Sequence, residues 1–126
     1  KKAVVLNVSG AFHSRLMEPA AINLKNVLEH VELHVPASGF IPNIKAEFET
    51  DPLAIRNALI SQVAHSVKWT HSMRFAIGQD IQTFLEIGPG KVLKGLGRRI
   101  DKGVTIESIG TVDSLPKIDE MLSTKE

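Results

Sequence analysis

Cysteine is absent from the 126-residue chain, which excludes disulfides and thiolate metal sites within it and suits a reducing compartment. No apolar run approaches the ~20 residues a membrane helix requires, and no signal-peptide pattern is visible, so neither a membrane partner nor secretion is expected. An excess of charge is also missing. Fifteen basic and fourteen acidic side chains leave a formal net charge of +1, whereas a protein that neutralises many phosphates carries a strong basic surplus. Nucleic acid is therefore not an expected partner. Aromatic residues are scarce at 5%, and the chain contains neither internal repeats nor low-complexity segments.

What remains is the composition of an ordinary folded chain, 43% hydrophobic and 23% charged, and its length suits a single core. A soluble, cytoplasmic protein is expected. Lys1 and Lys2 run directly into Ala3-Val4-Val5-Leu6 with no initiating Met, so the start reads as a cut or an internal boundary.

The β-branched run Val4 to Val8 predicts a strand that ends at Ser9-Gly10 and delivers His13. Apolar residues at Leu16, Ala20, Leu24, Val27, Leu28 and Val31 recur at helical spacing, with Ser14 as N-cap, Glu18 in the first turn and Pro19 early enough to be tolerated. Phe40 to Asn43 is expected as one short strand. Asp51-Pro52 predicts a helix start, with Leu53, Ile55, Leu59, Ile60 and Val63 as its buried stripe. A further helix is expected from Trp69 or Thr70 to Ile77, a strand over Thr83 to Ile87, a helix marked by Val92, Leu93, Leu96 and Ile100, a strand over Val104 to Ile109 and a last helix to Leu122. This alternation implies an α/β fold with a largely parallel sheet, in which functional loops lie beyond the C-terminal strand ends. Two loops fall there, Ser9 to Ser14 and Gly88 to Lys91.

Neither loop is decisive by spacing. His13 could be a surface or core histidine, or an imidazole held at a cleft for proton transfer. Gly88-Pro89-Gly90 could be a tight structural turn, or one whose free amides at Gly90 to Val92 attract an anion. It lacks the glycine pattern of a nucleotide phosphate loop. His30-Val31-Glu32-Leu33-His34 spaces two histidines four apart, yet its glutamate is misplaced for a His-Glu-x-x-His site and no third ligand is evident, so no metal is expected. His65 and His71 read as surface or helix-end residues and Trp69 as core. Lys91, Lys94, Arg98 and Arg99 read as a solvated basic face, or as one that steers an acidic partner.

The segment Val8-Ser9-Gly10-Ala11-Phe12-His13-Ser14 with Leu16-Met17 and Pro19-Ala20, then Gln62-Val63 and Val67-Lys68-Trp69, then Glu86 to Leu93 with Gly95-Leu96, resembles the C-terminal half of malonyl-CoA:acyl carrier protein transacylases of bacterial fatty-acid synthesis. The resemblance covers nearly the whole chain and fades after Arg99. It implies residues 1–8 as the last strand of a small ferredoxin-like subdomain and residues 9–126 as the C-terminal part of a large, hydrolase-like α/β acyltransferase subdomain. It implies a serine nucleophile activated by His13, whose ring is oriented by the main-chain carbonyl of Gln62, and makes the Gln62 side chain less decisive than its backbone. Phe12 is implied in selection for malonyl over branched units, while Asn43 and the loop containing Gly88 and Gly90 line or buttress the same cleft. Malonyl-CoA and the acyl carrier protein are the implied partners, with coenzyme A thioester as substrate and no cofactor.

No Gly-x-Ser-x-Gly occurs in the sequence. The resemblance therefore puts the serine, its oxyanion hole and the malonate-binding arginine in a missing N-terminal portion, and Arg15, Arg98 and Arg99 are not assigned that role. On this reading the 126 residues alone are inactive. Three alternatives stand beside it: an acyltransferase domain of a polyketide or fatty-acid megasynthase, a non-catalytic structural fragment, and a hydrolase sharing the fold.

Overall fold

The computed structural model describes residues 10–123. The strand expected over Val4 to Val8, and the subdomain boundary after residue 8, lie outside them. Internal contacts divide the chain into two units, residues 1–72 and 73–126.

In the first unit the Ser14 hydroxyl accepts from the Leu16 amide at 3.3 Å and caps a 3-10 turn, Arg15–Met17. Helix α1 follows as Glu18–Leu28. It starts three residues later than the Ser14 cap predicted, because Pro19, with no N–H and a φ near −65°, suits the first helical turn. Asp51 caps helix α2, Pro52–Ser61; its two carboxylate oxygens accept from the Leu53 and Ala54 amides at 3.4 and 3.0 Å. Helices α1 and α2 pack together, and Ile55, Ala58, Ala64 and Pro42 are buried. Leu53, expected in the buried stripe of α2, is instead 59% exposed.

The strand expected over Phe40 to Asn43 is not formed. A single antiparallel bridge joins Phe40 to Glu49, with the Glu49 amide donating to the Phe40 carbonyl at 2.8 Å. Pro42 has no N–H to give to a ladder, and the segment turns instead, the Lys45 amide reaching back to the Pro42 carbonyl at 3.1 Å. Lys45 and Glu49 form an ion pair across this loop, and the ammonium holds the Glu49 carboxyl below its ordinary pKa. A Cβ at Gly39 would run into the Phe48 ring, so a larger residue there would displace that ring.

Helix α3, Trp69–Gly78, contributes Met73 and Ala76 to the buried residues of the second unit. There, strands β1 (Thr83–Ile87) and β2 (Thr105–Ile109) pair in parallel, in register from Thr83 opposite Thr105 to Ile87 opposite Ile109. Helix α4, Val92–Ile100, connects them and packs on β2. Contact is close because Gly97 is buried under the Ile106 side chain, with no room for a Cβ. A 3-10 turn, Val112–Ser114, and helix α5, Pro116–Ser123, complete the order. Among the described residues the sheet thus has two strands. The chain is mixed α/β with a small parallel sheet, as the alternation of elements predicts, but smaller than the sheet expected.

The Asp51 cap gives the first testable expectation. Asp51→Ala should lower stability by about 1 kcal/mol, the usual cost of losing such a cap, whereas Asp51→Asn, which keeps an acceptor, should retain most of it. The urea midpoints of the two variants check this.

Candidate active site

The loop that carries His13 is closed by one hydroxyl. Ser14 Oγ donates to the Ala11 carbonyl at 2.7 Å while accepting from Leu16, so the backbone between Ala11 and Ser14 folds into a tight bend. His13 occupies the left-handed region, with a φ of 59°. Such a conformation is uncommon outside glycine, though histidine tolerates it better than most. The imidazole is exposed, and its Nδ1 lies 2.8 Å from the main-chain oxygen of Gln62. A carbonyl oxygen only accepts, so the neutral ring must carry its hydrogen on Nδ1 and leave Nε2 as a bare acceptor.

Gln62 is the residue that closes α2, where carbonyls lack intrahelical partners. Its side chain is engaged as well: Oε1 accepts from the Asn43 amide at 3.4 Å. The Asn43 carbonyl in turn accepts from the Lys68 amide at 2.7 Å. The first unit therefore brings together His13, Gln62 and Asn43 of the residues singled out in the sequence. Phe12 lies beside His13 in the chain and is 63% exposed. Its ring folds back over Gly10, where a Cβ would come within 3.0 Å of it. His65 is held in a parallel manner, with Nδ1 2.7 Å from the Ser61 carbonyl.

In the second unit Gly88 and Gly90 both have positive φ, 128° and 101°, which explains the two glycines of the turn after β1. The Gly88 amide donates to the Ile109 carbonyl at 3.0 Å, extending the β1–β2 ladder. Gly110 comes so close that a Cβ on it would sit 3.0 Å from the Gly88 carbonyl oxygen.

The amides that open α4 meet Glu86. Its carboxylate accepts from the Leu93 and Lys94 amides at 2.9 and 3.0 Å and from the Ser108 hydroxyl at 3.1 Å. The N-terminus of α4 is thus already met by a carboxylate from the preceding strand. Lys94, expected in a solvated basic face, is half-buried and pairs with Glu107 at 2.9 Å, which holds the Glu107 carboxyl below its ordinary pKa. Lys91, Arg98 and Arg99 are exposed. Among the described residues no group of three or more His, Cys, Asp or Glu could hold a metal ion, and no helix is long and apolar enough to cross a membrane.

No protein-family model matches the chain. The malonyl CoA-acyl carrier protein transacylase of Bacillus subtilis is 40% identical over 102 residues, covering 81% of this chain and 32% of the relative. That of Haemophilus influenzae is 34% identical over 122 residues, covering 97% and 39%. The crystal structure of acyl-carrier-protein-S-malonyltransferase from Bartonella henselae superposes with a TM-score of 0.86 at 38% identity, covering 98% of this chain and 39% of that one. The chain is a malonyl-CoA:acyl carrier protein transacylase homologue. It spans between about a third and two fifths of the length of these relatives. A further transacylase, solved in complex with a type II polyketide-synthase acyl carrier protein, has a TM-score of 0.83 at 37% identity, with coverage of 96% and 39%.

Within this transacylase homologue, Glu86 is the residue the sequence reading left without a role. Its signal was present: it is the one charged residue in the run Thr83-Phe84-Leu85-Glu86-Ile87, at a place where an unpaired charge would be costly. Burial acts to raise its pKa, but donation from Leu93, Lys94, Ser108 and Val92 outweighs this and leaves the carboxyl below its ordinary value of 4.5. A depressed carboxyl stabilises the fold fully above the unfolded-state value and loses that contribution as pH falls through the lower folded value. Stability measured by urea midpoint should therefore drop as pH is taken below 4.5, and Glu86→Gln should start lower at pH 7 and respond less steeply over that acid range.

Proposed function

We propose that the chain carries the general-base half of a malonyl-transfer site, in an enzyme that moves malonyl from coenzyme A to the acyl carrier protein in fatty-acid biosynthesis. The observation that carries this reading is the 2.8 Å contact between His13 Nδ1 and the Gln62 carbonyl. It supports a catalytic base because it fixes the tautomer with Nε2 free to take a proton. A carbonyl does this without adding a negative charge beside an anionic malonyl group. The hydrolase-like subdomain assignment belongs to the same proposal.

A serine nucleophile comes from the portion of the relatives' length that these residues do not span. His13 Nε2 takes the serine proton as the oxygen attacks the thioester carbonyl. The tetrahedral intermediate collapses by breaking the C–S bond, and the imidazolium returns the proton to the departing coenzyme A thiolate. Malonyl is then an ester on serine. In the second half-reaction His13 deprotonates the pantetheine thiol of the carrier protein, the sulfur attacks the ester, and the proton goes back to the serine oxygen. Because Gln62 ends α2, its carbonyl is at the negative end of the helix dipole, a favourable neighbour for the charge the ring carries between transfers. Phe12 borders the base and restricts bulk at the α-carbon of the acyl group, while Asn43 lines the cleft. The relative solved with its carrier protein supports a carrier-protein partner.

The lack of Gly-x-Ser-x-Gly in the sequence favours a second statement: the 126 residues alone have no transfer activity, since a base without its nucleophile has nothing to activate. In a chain that holds both these residues and the serine-bearing portion, His13→Ala should leave folding intact and cut malonyl transfer to carrier protein by at least ~100-fold. Transfer unaffected by that substitution would remove His13 from the mechanism, and release of free malonate faster than transfer would point to a hydrolase.

A further inference from the structure

We propose that Gln62 is a two-ended positioning residue, whose side-chain amide fixes the main chain of Asn43 while its own carbonyl fixes the ring of His13, so that the base and the Asn43 turn move as one body. The meaning of this coupling for substrate rests on the transfer reading; the coupling itself does not.

Four contacts make the chain of connections. His13 Nδ1 meets the Gln62 carbonyl at 2.8 Å. Gln62 Oε1 accepts from the Asn43 amide at 3.4 Å, and the Asn43 carbonyl accepts from the Lys68 amide at 2.7 Å. The Gln62 amide is anchored to the Ala58 carbonyl at 2.9 Å as the last bond of α2. Both main-chain groups of Asn43 are thereby engaged outside its own turn, and the residue before it, Pro42, is fully buried and has no N–H that could hold the segment to a strand. The turn from 43 to 45 has no sheet to steady it, so the side chain of Gln62 does what a ladder bond would do elsewhere. On the other side, His13 is kept in a left-handed backbone conformation, which persists when surrounding contacts over-determine it. A carbonyl free to drift would lose its hold on the ring, and the Asn43 contact limits that drift by tethering the side chain of the same residue.

Gln62→Ala removes the tether and leaves the main-chain carbonyl in place. Gln62→Glu keeps an acceptor oxygen at the same reach and serves as the rescue variant. Both are compared with the unaltered chain by two nuclear magnetic resonance readouts. One is hydrogen exchange of the Asn43 amide, with amides of the β1–β2 ladder as control for global folding. The other is the pair of imidazole nitrogen shifts of His13, recorded where the ring is neutral, which report the fraction of rings protonated at Nδ1. In Gln62→Ala the Asn43 amide should exchange roughly 2- to 12-fold faster, the factor expected for one hydrogen bond of ordinary net strength. The Nδ1-protonated fraction of His13 should fall, and Gln62→Glu should return both values toward those of the unaltered chain. Either readout unchanged in Gln62→Ala, or failure of Gln62→Glu to restore them, overturns the proposal. Should Gln62→Ala not fold, Gln62→Glu decides it: both values held supports the coupling, and either one lost overturns it. These readouts need no activity, so their failure is separate from failure of the transfer reading, which the His13→Ala assay tests.

Discussion

Helix ends leave backbone groups unpaired, and both units of this chain are organised by how such groups are met. At the C-terminus of α2 the Ser61 and Gln62 carbonyls accept from two imidazoles, His65 and His13. At the N-terminus of α4 the Leu93 and Lys94 amides are taken by Glu86. The two cases are mirror images in polarity: donors come to the negative end, a carboxylate to the positive end. The first uses one nitrogen of each exposed ring; the second uses both oxygens of a half-buried carboxylate.

The two ends differ in how far the side chain is committed to its contacts. His13 keeps an unoccupied Nε2 because a single acceptor satisfies only one of its two nitrogens. Glu86 accepts from the Leu93 and Lys94 amides and, on the opposite strand, from the Ser108 hydroxyl, and so ties β1, α4 and β2 into one connection. Its role is to hold the turn after β1 in shape, and the glycines there answer to positive φ and to the close approach of Gly110.

Local chemistry was legible in the sequence where it decided the outcome. Asp51-Pro52 announced α2, because a carboxylate cap followed by a residue without an N–H is a self-contained instruction. The apolar runs Thr83 to Ile87 and Val104 to Ile109 announced the two paired strands, their ends differing by at most a residue from those found. What was not legible depended on partners distant in the chain. Phe40 to Asn43 has strand-forming residues, but Pro42 and the diversion of the Asn43 amide to Gln62 leave it a single bridge. The 3-10 turn before α1 and the left-handed φ of His13 follow from how Ser14 divides its hydroxyl between Ala11 and Leu16. For the candidate site, the resemblance singled out His13 and the Gln62 carbonyl; the second use of Gln62, through its side chain, has no signature in spacing because its partner is 19 residues away.

The carboxylate at the start of α4 also bears on how this scaffold could change over evolutionary time. A glycine-containing turn between a strand and a helix is a common starting point for phosphate recognition, and drift in the surrounding loop alone would be expected to open that route. Here a tethered competitor already occupies the amides, at an effective concentration of the millimolar order or higher. A soluble anion would first have to displace it, and losing Glu86 would also loosen the link to β2. The Leu93 and Lys94 amides are thereby committed within the fold rather than open to a soluble anion.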